Sequence, residues 1–247
     1  MLPTESQVEV YLEAGRSRTF AIAPHWPGWC RSGRDDASAL QALFDYGPRY
    51  ALALKGSRLE FRAPSAPTAL LVVERLPGNA TTDFGAPDLA LPTDMQPVNP
   101  VELERLQTIL KACWETFDHT VQLADGKVLR KGPRGGGRDL AKIIEHVRDV
   151  EVTYLSRLGG KVTLDPQGKP SQALLAIRQA ILMTLGLAAR GEVPDRGPRG
   201  GMHWSPRYFV RVLPGMILIM FGKSRTGQNN QESPDANLTH FAYSYVE

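Results

Sequence analysis

The chain has 247 residues, 42% of them hydrophobic and 22% charged, with a formal net charge of +3. That length suits one large domain or two ordinary ones, and the composition excludes a disordered or fibrous chain. So small a basic excess does not mark a dedicated nucleic-acid binder, and two cysteines, Cys30 and Cys113, are too few for a disulfide framework.

The opening residues lack a basic region followed by an apolar run, so no signal peptide is expected. The apolar stretch at 216–221 is far too short to span a bilayer. With its cysteines reduced, the protein is expected to be cytoplasmic. Val8, Val10 and Leu12 alternate with Glu9, Tyr11 and Glu13, the pattern of a half-buried strand. A turn at 15–18 leads to a second strand at 19–23 and so to a hairpin. Pro27-Gly28 breaks the chain before a possible third strand at 29–32. Asp35 or Asp36 caps a helix from 37 to about 54, whose stripe of Leu40, Leu43, Phe44, Tyr50 and Leu54 is interrupted by Gly47-Pro48. Residues 69–73 suit a buried strand. The order ββ(β)αβ describes an α+β module over 1–75.

From 76 to 100 the composition turns to Pro, Gly, Asp and Thr without periodicity, which predicts a linker crossed by few packed contacts. The remainder is helical. A helix from 101 to about 124 carries Leu103, Leu106, Leu110, Trp114 and Phe117 on one face. Asp139 caps a second, striped by Leu140, Ile143, Val147, Val150 and Tyr154. Ser171 opens a third with Leu174, Ile177, Ile181 and Leu185, and Ser205-Pro206 is a good opening for a fourth. Helices of this length close an all-α bundle, placed at 101–211.

Two family resemblances follow from particular residues. Two strands, Trp26-Pro27-Gly28-Trp29, Ser32-Gly33 and an Ala-rich helix look like the small HicB-type α+β fold. That likeness implies a protein or RNA partner for the N-terminal module. No DNA-binding domain of the kind that accompanies it is present in the sequence, so DNA is not the expected partner. Gly137-Arg138-Asp139-Leu140, Ile144-Glu145-His146-Val147 and Trp204-Ser205-Pro206-Arg207-Tyr208 resemble the DinB-like metal-binding bundles. The resemblance implies a metal-dependent, possibly thiol-linked, transferase or isomerase acting on a small molecule. It also implies a divalent metal of zinc or nickel type, held by a histidine on the second helix and an HxxxH pair on the fourth. Residues at i and i+4 share a helix face, so both imidazoles of such a pair reach one ion.

His146 matches the second-helix ligand, but the HxxxH pair is absent. Where it should fall, Pro214-Gly215 predicts that the fourth helix stops almost as it begins. A change of reading frame would account for this. One set of codons for 212–227, read from the third base, spells VAWHDLDHVWEIEDR, an amphipathic helix containing HDLDH. The aspartate after its first histidine follows from Met216 and Ile217 without choice, and the valine after its second from Met220 and Phe221. Residues 212–247 are accordingly expected to be an aberrant, frame-shifted and partly disordered tail, with 228–247 poorly ordered.

One imidazole does not define a site that needs three or four ligands. His146 therefore reads as a structural histidine here, and no bound metal is expected. His119 and His203 lack an i, i+4 mate. The Gly- and Arg-rich runs at 132–138 and 196–201 lack a Gly-Lys-Ser/Thr ending and read as helix connectors, although either could hold an anion. Trp26, Trp29 and Cys30 read as core, neither cysteine as a nucleophile, and Glu145 only weakly as an acid or base. No catalytic residue is assigned.

Overall fold

The computed structural model describes residues 7–126, 139–165, 167–197 and 200–220. It is an α+β fold, a small mixed sheet followed by helices. Strands β1 (Val8–Ala14), β2 (Thr19–Ile22) and β3 (Cys30–Gly33) form an antiparallel meander, with Tyr11 opposite Ile22 and Ile22 opposite Cys30. Helix α1 (Asp36–Ala53) then carries the chain across to β4 (Leu70–Pro77), which pairs parallel to β1, giving the order β3-β2-β1-β4. Asp35 caps α1 in a capping box with Ser38, its carboxylate accepting from the Ser38 amide at 2.7 Å.

Four long helices follow: α3 (Pro100–Ala124), α4 (Leu140–Arg157), α5 (Pro170–Ala189) and α6 (Pro206–Met220). Their apolar stripes meet in one core that includes Leu110, Phe117, Val147, Ile177, Ile181 and Phe209. Among the described helices, α5 is long and apolar enough by composition to cross a membrane. Here its Leu174, Ile177, Ile181 and Leu185 are buried in the bundle.

Residues 76–100 are not a bare linker. They contain the short helix α2 (Ala80–Phe84) and a 3-10 turn at Pro92–Met95, and they close the second face of the sheet, where Leu91 packs with Tyr11, Phe20, Ile22 and Cys30. Strand β1 is consequently buried on both faces. Even Glu13 is fully buried, accepting from the Thr82 hydroxyl at 2.7 Å and from the amides of Asp88 and Leu89 at 3.2 Å each. The polar residues that suggested a loop serve as partners for backbone groups that would otherwise be buried unpaired. Asp94, for example, accepts from the buried Leu91 amide at 2.7 Å, and at the surface Asp83 accepts from the amides of Arg16 and Ser17 in the β1–β2 turn.

The same segment is fastened to α6. Arg211, 5% exposed, donates to both oxygens of buried Asp94, to the Leu89 carbonyl at 2.8 Å and to the Tyr11 hydroxyl. Ser205 donates to the Asp94 carbonyl, and Arg207 pairs with Glu102 at 2.5 Å. On the opposite face of the sheet, Ile109, Ala112 and Cys113 of α3 and Leu218 of α6 join the core under α1.

Two sequence expectations are corrected. Helix α6 does not stop at Pro214 but runs through it to Met220. An interior proline costs about 3 kcal/mol. Buried Phe209, Val210, Leu213, Ile217 and Leu218 each return about 1.5–3 kcal/mol and hold the helix together. The fourth helix is therefore complete across 212–220; the rest of the expected tail, 221–247, lies outside the described residues. Pro214 also has a packing role. It lies against Gly28, whose φ is +96°, so closely that a Cβ on Gly28 would sit 3.0 Å from the Pro214 Cβ. Helix α1, expected from 37 to about 54, runs over Asp36–Ala53 and through Gly47-Pro48. Strand β4, expected to be buried, is an edge strand among the described residues, with Leu71, Val72 and Val73 each 39–50% exposed.

Candidate metal site and the charged core of the bundle

His146 is half-buried on α4, between buried Ile143 and half-buried Val150. Asp139 caps this helix, accepting from the Lys142 amide at 2.8 Å. The start of α6 adjoins the end of α4. The Trp204 amide donates to the Arg157 carbonyl at 2.7 Å, and the Trp204 ring meets Tyr154 and Tyr208 edge-on at 4.8 and 4.9 Å. The two helices therefore run antiparallel. At 1.5 Å per residue His146 lies about 12 Å down α4 from Tyr154. The same distance along α6 from the Trp204–Tyr208 contact reaches the turn that contains Pro214.

That turn offers His146 no imidazole, thiolate or carboxylate. Among the described residues no group of three or more His, Cys, Asp or Glu side chains stands together as a metal site. His119 is exposed on α3, and His203 sits in the loop before α6 with Nδ1 2.6 Å from the Pro194 carbonyl. Glu145 points outward, 3.6 Å from Arg148. Among the described residues no such group is present to hold the zinc- or nickel-type ion that the DinB resemblance implies.

The bundle core does hold a charged cluster that the sequence reading missed. Glu151 of α4 is fully buried, 3.5 Å from Arg178 of α5. Arg178 is 8% exposed, donates to both carboxylate oxygens of Asp118 on α3 at 2.9 and 2.7 Å, and lies over the rings of Trp114 and Phe117. Burial pushes the Glu151 carboxyl up to about 7, against the opposing influence of Arg178 and the nearby Trp114 indole. Neither group reaches hydrogen-bonding geometry with it. One signal was available in the sequence: Glu151 stands four residues after Val147 on the apolar stripe, and Arg178 four after Leu174.

No family model, curated protein or solved structure matches this chain.

The remaining candidates have structural settings. Trp29 is fully buried, its indole donating to the Leu43 carbonyl at 2.9 Å, and it joins Trp26, Tyr50 and Phe61 in one aromatic cluster. Cys30 and Cys113 are buried, and desolvation raises both thiols to about 12, which removes nucleophilic character at neutral pH. Arg196 folds its own loop by donating to the Gly200 carbonyl. The run at 132–138 lies outside the described residues.

Proposed function

We propose that the chain is a cytoplasmic DinB-like bundle joined to a HicB-like module. In this reading it descends from metal-dependent, possibly thiol-linked transferases or isomerases acting on small molecules and, as written, lacks their metal chemistry. The observation that carries the reading is the level of His146, opposite the turn of α6 where the missing histidine pair would fall. No catalytic step is assigned to a metal, because such a site needs three or four ligands and no such group stands among the described residues.

The frame-change idea gains a geometric argument. A single base inserted ahead of Val212 would put alanine and leucine at positions 214 and 218, the two that lie against Gly28. It would put histidines at 216 and 220. It would also put an aspartate at position 217, now fully buried Ile217, where a carboxylate needs a partner.

Two measurements test the reading. The nucleotide sequence over 212–227 either spells the two histidines in the shifted frame or ends the frame argument. Nickel or zinc titration of the repaired chain should then give one ion per chain, lost in its His146→Ala variant, whereas the chain as written should bind no better than its own His146→Ala variant. A repaired chain that takes up no metal overturns the DinB-like assignment.

A second, non-enzymatic reading is partner binding through the N-terminal module. It is favoured by the apolar edge strand β4, unpaired on its outer side among the described residues, since such edges template pairing with another chain.

A further inference from the structure

We infer that β4 is a self-association edge, on which a second copy of this chain lays its own β4 antiparallel. The inference rests on the reading of β4 as a docking edge and names the partner. Strand β4 is eight residues long and stands last in the order β3-β2-β1-β4, unpaired on its outer side among the described residues. Its middle is the apolar triplet Leu71-Val72-Val73. Successive side chains on a strand point to opposite faces. Leu71 at 44% and Val72 at 39% exposure therefore leave apolar surface on both sides of the edge. The core stops one strand short: Val10 of β1 is fully buried, and Val72 beside it is not.

Soluble proteins blunt their sheet edges with lysine, proline, bulges or short strands. No lysine stands on β4, and Pro77 stands only at its end. A bulge does fall at Val73, between the Val10–Val72 and Tyr11–Glu74 pairs. It disrupts the ladder toward β1 and does not cover the outer side. Of the two charged residues, Arg75 is held by Asp36 of α1 at 2.8 Å.

Charge selects a second copy, because β4 is its own complement. In antiparallel pairing about a two-fold axis, an axis at Glu74 or at Arg75 opposes like charges. An axis between them would draw Arg75 away from Asp36. An axis at Val72, at Val73 or between them sets the apolar triplet against itself, and Glu74 and Arg75 then each face an uncharged residue. The other end of the sheet, β3, is only four residues long, with Cys30 and Arg31 buried. One long edge gives a closed pair and not a filament. Eight residues extend about 26 Å, and so narrow a contact stays below the roughly 1,200 Å² of a standard interface. The dimer is accordingly weak, with a Kd on the order of tens of micromolar.

Sedimentation of the full chain from roughly one to several hundred micromolar tests this. A monomer should give way to a dimer, and Val73→Lys, at the most exposed position of the triplet, should weaken association at least about tenfold without changing Tm. Val72→Cys and Val73→Cys, each alone and mixed, are then oxidised mildly. Opposed residues stand close enough for a disulfide, and buried Cys30 and Cys113 stay out of the reaction. One of the three samples should cross-link and so locate the axis, while Leu175→Cys, exposed on α5, should not. A chain that stays monomeric throughout overturns the inference. So does a dimer that Val73→Lys leaves intact, or cross-linking no faster than that of Leu175→Cys. Hydrogen exchange with a synthetic peptide of residues 69–78 separates the two readings. If the chain is monomeric but the peptide protects the β4 amides, the docking edge stands and the second copy falls; without protection both fall.

Discussion

Replacing Glu151 by Gln should make the protein more stable above neutral pH and leave it unchanged in acid. The carboxyl is fully buried and its pKa is raised from 4.5 to about 7, chiefly by desolvation. Below the unfolded value it is protonated in both states and contributes nothing to pH dependence. Between 4.5 and about 7 the unfolded chain ionises first, so the native state binds the extra proton and stability falls as pH rises. Each pH unit across that window is worth about 1.4 kcal/mol, so the wild type loses about 3 kcal/mol in all. Glutamine mimics the protonated acid in shape and cannot ionise, and Arg178 keeps its two bonds to Asp118 in the variant. The expected result is equal stability near pH 4.5 and an advantage of about 3 kcal/mol at pH 8. At 2–4 °C per kcal/mol that is of the order of 6–12 °C in Tm. Urea or thermal unfolding at matched ionic strength measures it. A Glu151→Gln variant less stable than wild type at pH 8, or equally displaced at both pH values, would show that the Arg178 ion pair outweighs desolvation and would refute the reasoning.

Three other outcomes are expected. Arg211→Met leaves Asp94 charged and buried without its partner and should cost about 3–5 kcal/mol in urea unfolding; a loss under 1 kcal/mol would mean that residues 76–100 are not anchored by this pair. Pro214→Ala should stabilise α6, by less than the roughly 3 kcal/mol propensity difference because the contact with Gly28 is loosened; a lower Tm would show that the contact dominates. Cys30 and Cys113 should resist a thiol reagent at pH 8 until the chain unfolds, as followed by mass spectrometry, and rapid labelling of either would contradict its burial.

What the sequence made legible was local. Asp35, one of the two caps offered for the first helix, and Asp139 cap their helices, and Ser205-Pro206 opens the fourth long helix, because caps and apolar stripes are written within one or two turns of chain. Residues 76–100 were not legible because their bonds are distant: Asp83 to Arg16 and Ser17, Glu13 to Thr82, Asp94 to Arg211. No window centred on 76–100 contains those partners. Pro214 misled for a related reason, since tertiary burial on both sides of it overrides its local preference. At the candidate sites, His146 stood out through its resemblance to a ligand. Glu151 and Arg178 drew no notice although each falls on an apolar stripe, because a stripe does not say whether a charged residue on it finds a partner inside.

The bond between Arg211 and Tyr11 joins residues 200 positions apart, and it fixes an order of events in folding. A nascent sheet can pair β1 with β2 and β3 as soon as they leave the ribosome. Residues 76–100 cover its second face, but that cover is not fastened until α6 emerges and brings Arg211 to Asp94 and Tyr11. Contacts of such long sequence separation are made late and slow the search. During synthesis the apolar underside formed by Tyr11, Phe20 and Ile22 is a transient aggregation surface. A ribosome-stalled chain ending before residue 206 should therefore expose that face to a hydrophobic dye, and one extended far enough past residue 220 to free α6 from the exit tunnel should not.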